Sequence, residues 1–189
     1  LGTKELNKEL QNALNPTLNG KNMDTQEDLE NIKHRKQGDR VFLVGDRVMQ
    51  VKNNYDIYWE RNNKENGTGI FNGELGIVKN IDDYSKQVEV QFDDEKVAWY
   101  EYSDLEQLEH SYSITIHKSQ GSEFDVVIMC LPPAAPMLLT RNLLYTGITR
   151  AKKLLIILGT KATVEHMIQN TETKKRNTGL EHKLRQLLK

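Results

Sequence analysis

An α/β fold interrupted by a small all-β insertion is what the apolar pattern predicts, and three observations carry it. Residues 126–130 and 154–158 are continuously apolar, as strands of a parallel sheet covered on both faces are. Helical periodicities lie between and after them, and strands alternating with helices argue for a parallel sheet. Upstream, short segments alternate apolar with polar residues and are punctuated by acidic pairs, the pattern of antiparallel strands with one wet face.

In chain order, Leu6, Leu10, Ala13 and Leu14 fall at helical spacing over residues 3–14, and Pro16 ends the run. Residues 17–37 are polar and aperiodic and are expected to be mostly loop. Residues 41–44 and 47–51 read as strands split by Gly45-Asp46. Residues 53–73 are again polar and turn-rich, with Tyr55, Tyr58 and Trp59 as large rings. Residues 75–78, 87–92 and 96–102 are strand-like, and Asp82-Asp83 and Asp93-Asp94 between them suit tight turns. Several short strands within about sixty residues suggest a small antiparallel barrel of the SH3-like kind. Beyond His110, residues 113–117 read as a strand and 126–130 as a strand buried on both faces. Residues 137–151 are long enough for a helix with Leu139, Leu143, Tyr145 and Ile148 inward. A strand over 154–158 ends at Gly159. Residues 164–168 begin a helix, and 180–188 form another with Leu180, Leu184, Leu187 and Leu188 on one face.

The 189 residues, 37% apolar, suffice for one domain or for a core domain carrying an insertion. No apolar run approaches the roughly 18 residues of a transmembrane span, so a membrane protein is not expected, nor a membrane among the partners. No basic segment precedes an apolar one as in a signal peptide, so a cytoplasmic location is expected. The single cysteine, Cys130, excludes a disulfide scaffold and a zinc ribbon, and is expected to be a small buried hydrophobe in a reducing compartment. The opening Leu1-Gly2-Thr3 suggests a domain excised from a longer protein.

A net charge of −1, from 26 Lys plus Arg against 27 Asp plus Glu, hides a segregation. Residues 38–110 are net −8 and residues 151–189 net +6. The acidic middle is a poor phosphate-binding surface and the basic tail a better one.

The phosphate-cradling pattern G-x-x-x-x-G-K-[ST] does not occur. Asp93-Asp94-Glu95 follows a segment that alternates apolar with polar, so a turn is expected there rather than a metal site. His34, His110, His117, His166 and His182 form no metal-spaced pair, and no metal ligand is assigned. The chain therefore lacks the parts to run hydrolysis alone. Two stretches are informative. Thr115-Ile116-His117-Lys118-Ser119-Gln120-Gly121-Ser122-Glu123-Phe124-Asp125 places polar groups and a glycine at what the strand reading makes the carboxyl edge of a sheet, where α/β folds bind ligands. Leu144-Tyr145-Thr146-Gly147-Ile148-Thr149-Arg150-Ala151-Lys152 places an arginine at a helix end ahead of a buried strand, where it would ordinarily cap the helix dipole.

Together these stretches closely resemble motifs V and VI of superfamily 1 helicases, and Lys118-Ser119-Gln120-Gly121-Ser122-Glu123 resembles the RecD-like branch, the alpha subunit of exodeoxyribonuclease V and its stand-alone relatives. Supporting matches fall in order. Leu6-Asn7-Lys8-Glu9-Leu10-Gln11 through Leu14-Asn15-Pro16 is similar to that family's second motor-domain helix. Gly45-Asp46-Arg47-Val48-Met49-Gln50, Asn53-Asn54-Tyr55-Asp56 and Phe71-Asn72-Gly73-Glu74-Leu75-Gly76 resemble its approach to the SH3-like insertion. The first motor domain, with its phosphate loop and magnesium-holding Asp, has no counterpart here, nor has the strand before the Leu6–Leu14 helix.

The resemblance implies a RecA-like second motor domain (2A), a parallel α/β sheet, over residues 1–45 and 111–189, with an SH3-like barrel (2B) inserted over 46–110. It makes Arg150 an arginine finger that meets charge developing on the γ-phosphate of ATP. It puts Gly121 and Glu123 at the nucleotide, with Glu123 accepting from a ribose hydroxyl. It turns Thr115, His117 and Lys118 toward single-stranded DNA, with Asn54 and Tyr55 as further DNA-side residues. Trp59, Trp99, Tyr100 and Tyr102 are candidates for base stacking, with the core favoured for Trp99. Implied partners are single-stranded DNA, the first motor domain, and other nuclease or helicase subunits. ATP with Mg2+ would serve the intact parent protein, with neither held tightly by these residues alone. Translocation would run 5′ to 3′. A non-catalytic module that binds nucleic acid or protein through its SH3-like insert is the alternative.

Overall fold

The computed structural model describes residues 2–18, 32–132, 134, 136–171 and 179–187; the loop expected across 19–31 and the apolar Leu188 lie outside them. The chain divides into two compact units, Leu1–Ser122 and Glu123–Lys189.

In the first unit, α1 (Thr3–Leu14) forms where leucine spacing predicts it and ends at an extended Asn15. The face it buries is not the leucine face. Asn7, Gln11 and Asn15 are 8%, 2% and 4% exposed, whereas Leu14 is 61% exposed. Residues four apart stack on one side of a helix, so these three amides form a stripe. They meet backbone and carboxylate groups that only polar partners can satisfy.

β1 (His34–Gln37) and β2 (Arg40–Leu43) form an antiparallel hairpin turned at Gly38, whose φ is +58°. The expected loop over 17–37 therefore ends in a strand. Its polar residues hide it from a periodicity reading: β2 supplies the apolar side chains, and Arg35 stacks its guanidinium 3.9 Å from the Tyr102 ring centre.

Seven further strands follow: β3 (Arg47–Gln50), β4 (Asn54–Glu60), β5 (Asn66–Ile70), β6 (Leu75–Asp82), β7 (Gln87–Phe92), β8 (Val97–Glu101) and β9 (Leu108–His110). Every pairing is antiparallel, in the order β5-β4-β8-β7-β6-β3-β9. No ladder joins β5 to β9, so among the described residues the sheet is open rather than a closed barrel. Alternation buries Val88, Val90 and Phe92 of β7 and Ala98 and Tyr100 of β8, and these meet Phe42, Val48, Val78, Ile81, Leu105 and Leu108 in one core. A bulge between Val78 and Asn80 turns Lys79 and Asn80 outward and restores Ile81 to the inside. Gly76 is required by proximity: a Cβ there would sit 2.8 Å from the Gln91 carbonyl oxygen.

Two expectations fail here. The turn-rich stretch 53–73 contains β4 and β5, in which Ile57 and Ile70 are the buried apolar residues. Its glycines conceal a strand because Trp59 covers Gly67 opposite it, where a Cβ would lie 2.7 Å from the indole. Trp99 is half-buried, and the core ring is its neighbour Tyr100, because alternation in β8 sends them to opposite faces. The Tyr100 hydroxyl donates to Gln50 Oε1 at 2.9 Å, both side chains fully buried. The acidic pairs do make turns, and Glu95 takes φ +69° in the second.

In the second unit, β10 (Phe124–Cys130) and β11 (Ala151–Leu158) pair in parallel, with Val126, Ile128 and Cys130 opposite Leu154, Ile156 and Leu158. Between them lies α2 (Arg141–Ile148), capped by Thr140; α3 (Lys161–Gln169), capped by Thr160, and α4 (Leu180–Leu187) follow. The helix expected over 137–151 is interrupted: a 3-10 turn, Pro136–Leu138, precedes α2. Leu144 and Gly147 are its buried residues, while Tyr145 and Ile148 point outward at 68% and 42% exposed. Asn170 joins α3 back to the start of α2, its carbonyl accepting from Arg141 N and its amide donating to Leu139 O at 3.0 Å. β10 is not buried on both faces. Met129 is 5% exposed, but Val126 and Ile128 are 52% and 61% exposed, and Cys130 is exposed rather than a core residue. The described residues cover one side of the strand pair only.

Candidate functional site

Residues 113–117 do not form a strand. Residues 116–121 make a run of turns ahead of β10, so Thr115–Gly121 is not delivered by a strand's carboxyl end. The physical cause is local hydrogen bonding. The Thr115 carbonyl accepts from Ser119 N at 3.1 Å and its hydroxyl accepts from Lys118 N at 3.2 Å. Ser119, 6% exposed, donates its hydroxyl to Ile116 O at 2.8 Å. Such side chain to backbone bonds offer the chain an alternative to a sheet ladder. The outcome is a compact turn presenting Thr115, His117 and Lys118 to solvent. The Lys118 ammonium pairs with Glu109 Oε2 at 2.6 Å. Gly121 has φ +87° with open space where a Cβ would be, a conformation that favours glycine.

Elsewhere in the first unit, Asn54 and Tyr55 begin β4 and differ in availability. The Asn54 amide donates to Gln107 Oε1 at 2.9 Å and its oxygen accepts from Asp56 N at 3.0 Å, so its side chain is committed locally. Tyr55 is 66% exposed and meets Phe71, 41% exposed, edge to face at 5.6 Å. Phe71 lay within a stretch singled out by resemblance but was not picked as a site residue.

In the second unit, Glu123 and Arg150 lie at the amino ends of β10 and β11. Phe124 N donates to Arg150 O at 2.8 Å, which registers the two strand starts. The Arg150 guanidinium folds back on the end of α2, Nε donating to Thr146 O and Nη2 to Thr149 Oγ1, both at 3.1 Å. Arginine is suited to this, a permanently charged planar fork against the negative end of a helix. Glu123 pairs with Lys152 at 3.2 Å, both largely exposed. Lys152 went unassigned in the sequence reading.

A second polar cluster in the first unit was also missed. The Asp46 carboxylate is fully buried and accepts five bonds. Gln11 Nε2 donates at 2.6 Å, Asn15 Nδ2 at 2.7 Å, Leu43 N at 2.8 Å and Tyr112 OH at 3.0 Å. His110 Nε2 stands 3.1 Å away. Gln11 Nε2 spends its two hydrogens on Asp46 and on Val41 O, so His110 Nε2 is the donor toward Asp46. Burial first, then the Asp46 charge, raise the Tyr112 phenol above its ordinary range, which keeps it a donor. The available signal was the four-residue spacing of Asn7, Gln11 and Asn15.

Among the described residues no three His, Cys, Asp or Glu side chains converge to hold a metal ion. Nor is any described helix long and apolar enough to cross a membrane.

Two family profiles match the chain in order: the ATP-dependent RecD-like DNA helicase SH3 domain over residues 6–92, and the UvrD-like helicase C-terminal domain over residues 110–158. The RecD subunit of the RecBCD enzyme from Buchnera aphidicola subsp. Schizaphis graminum is 41% identical over 122 residues, 65% of this chain and 18% of its own. The ATP-dependent RecD2 DNA helicase of Deinococcus radiodurans is 34% identical over 141 residues, 75% of this chain and 18% of its own. The chain thus spans under a fifth of the length of these relatives. A solved Pif1 helicase from Bacteroides, in complex with ADP-AlF3 and single-stranded DNA, overlaps 82% of this chain and 38% of that one at 20% identity and a TM-score of 0.49.

Together, in this order, the two profiles make the chain similar to the C-terminal-domain portion of a superfamily 1 helicase. Within that class, the SH3-domain match and the RecD relatives point to one branch: the chain is similar to the RecD-like helicases.

Proposed function

We propose that this chain is the second motor domain, with its SH3-like insertion, of an ATP-dependent DNA helicase. We keep the boundaries 1–45 and 111–189 for the RecA-like domain and 46–110 for the insert. The observation that carries the reading is the order of the two profile matches, with Arg150 at the junction of α2 and β11 inside the second. Arg150 acts as the arginine finger. Motor chemistry of this kind is positioning plus charge stabilisation, and a guanidinium fixed at a helix end supplies charge at little reorganisation cost. Glu123 takes a ribose hydroxyl, and Gly121 lets the backbone pass close to the nucleotide. Thr115, His117 and Lys118 contact phosphate or sugar of single-stranded DNA without reading sequence. Tyr55 stacks on a base; Asn54 holds the strand that carries it.

Residues 115–123 run without interruption from the DNA-side group to the nucleotide-side group, so closure on ATP shifts the grip on the strand. Magnesium would travel with the nucleotide, and no residue of this chain is assigned to it. The whole protein works in the cytoplasm on single-stranded DNA, moves 5′ to 3′, and depends on a first motor domain; the residues described here hydrolyse no ATP by themselves. The RecD relatives support a place in DNA repair or recombination, alone or with nuclease subunits.

The test is ATP hydrolysis by the full-length protein with and without single-stranded DNA, and unwinding of duplexes with a 5′ or a 3′ tail. DNA-stimulated turnover and a 5′-tail requirement are expected. A turnover indifferent to DNA would sink the motor reading in favour of a binding module.

A further inference from the structure

The turn that presents Thr115, His117 and Lys118 begins two residues after Ser113, and Ser113 is gripped from α1. Asn7 donates Nδ2 to Ser113 O at 2.8 Å and accepts from Ser113 N through Oδ1 at 2.8 Å. One side chain thus satisfies both backbone groups of one residue, as a neighbouring strand would. Asn7 is 8% exposed, so its amide is largely withdrawn from solvent. One residue earlier, Tyr112 is bonded to Asp46. One residue before that, Ser111 N donates to Arg47 O at 2.9 Å. Before that again, His110 donates to Asp46. Two further donors to the same carboxylate, Gln11 and Asn15, share the α1 stripe with Asn7.

Four consecutive residues, 110–113, are therefore each fastened, to α1 and to the Asp46-Arg47 segment that opens β3, neither of which enters the turn. A leucine-faced helix would have held the turn by apolar contact, which fixes distance poorly and direction hardly at all. A bidentate amide fixes both. Directional anchorage matters where hydroxyl, imidazole and ammonium groups must meet phosphates about one bond length at a time.

We propose that Asn7, with Asp46 behind it, is a positioning residue for the 115–118 turn: it sets the pose in which that turn meets single-stranded nucleic acid. The proposal rests on the DNA-side reading of Thr115, His117 and Lys118. Asn7 touches neither strand nor nucleotide and acts through Ser113.

The experiment uses the full-length protein and the variants Asn7→Ala, Asn7→Asp and Tyr112→Phe. Amide hydrogen exchange is read first, because it needs no DNA. Asn7→Ala should speed exchange over residues 113–119 at least about tenfold while β6, β7 and β8 keep their protection. Asn7→Asp, which keeps the acceptor and loses the donor, should fall between, and Tyr112→Phe should loosen the turn less. Unchanged exchange at 113–119, or equal loosening across the sheet, overturns the positioning role. The second readout is the single-stranded DNA concentration that half-saturates ATP turnover. Asn7→Ala should raise it at least about tenfold with turnover at saturating DNA within about twofold. A loosened turn with unchanged half-saturation overturns the link to DNA. A wild-type protein showing no DNA stimulation removes the helicase reading instead, and the exchange pattern still decides the anchorage.

Discussion

The two units treat their least comfortable side chains in opposite ways. The first buries a carboxylate completely and surrounds it with five donors. The second leaves a row of apolar side chains open. In the parallel register, Val126 and Leu154, and Ile128 and Ile156, share one face of the strand pair, and all four are 39% to 61% exposed. The opposite face, with Met129, is covered. The first unit is therefore specified by directional bonds whose partners must match, while the open face of the second carries apolar residues that nothing among its described residues requires. Polar burial without partners costs more than apolar exposure, so the two features should respond to mutation very differently.

The largest effect should come from Asp46→Ala, which strands five donors in a closed space. Urea unfolding monitored by circular dichroism should show a loss above about 3 kcal/mol, and a loss under about 1 kcal/mol would mean that water enters the cluster. Met129→Ala, on the covered face of β10, should cost roughly 2–3 kcal/mol by leaving a cavity. Tyr100→Phe should cost about 1 kcal/mol, since it removes one buried bond and leaves Gln50 Oε1 short of a partner. Ile128→Thr, one residue from Met129 on the open face, should change stability by no more than about 0.5 kcal/mol. A cost for Ile128→Thr as large as that for Met129→Ala would show that the open face is covered in solution, and the contrast between the units would fail.

The same contrast explains what the sequence could tell. Apolar periodicity located α1, β2, β3, β6, β7, β8 and β11 because those elements contribute alternating or continuous apolar residues to a core. It missed β1, β4 and β5, where pairing partners or a single tryptophan over a glycine do the covering. It chose the wrong face of α1 because leucines were counted and amides were not. The continuous run in β10 predicted two covered faces, but a run of apolar residues reports what a strand can tolerate, not what lies against it. Of the candidate site residues, Arg150, Glu123, Gly121, Thr115, His117 and Lys118 all fall in turns or element ends. The turn over 116–121 was not legible as a turn, because its cause is the bonding of Thr115 and Ser119, polar residues that a β-rich reading passes over. The Asp46 cluster draws on residues from 11 to 112, and no local pattern announces a contact that distant.

We propose that Arg150 meets the charge developing on the γ-phosphate of ATP in the full-length protein. The most direct test is Arg150→Ala in the full-length protein, with ATP turnover at saturating single-stranded DNA and nucleotide affinity measured side by side. Turnover should fall by about 10³-fold or more while affinity for the nucleotide changes by only a few fold. Turnover close to that of the unmodified protein would contradict the account.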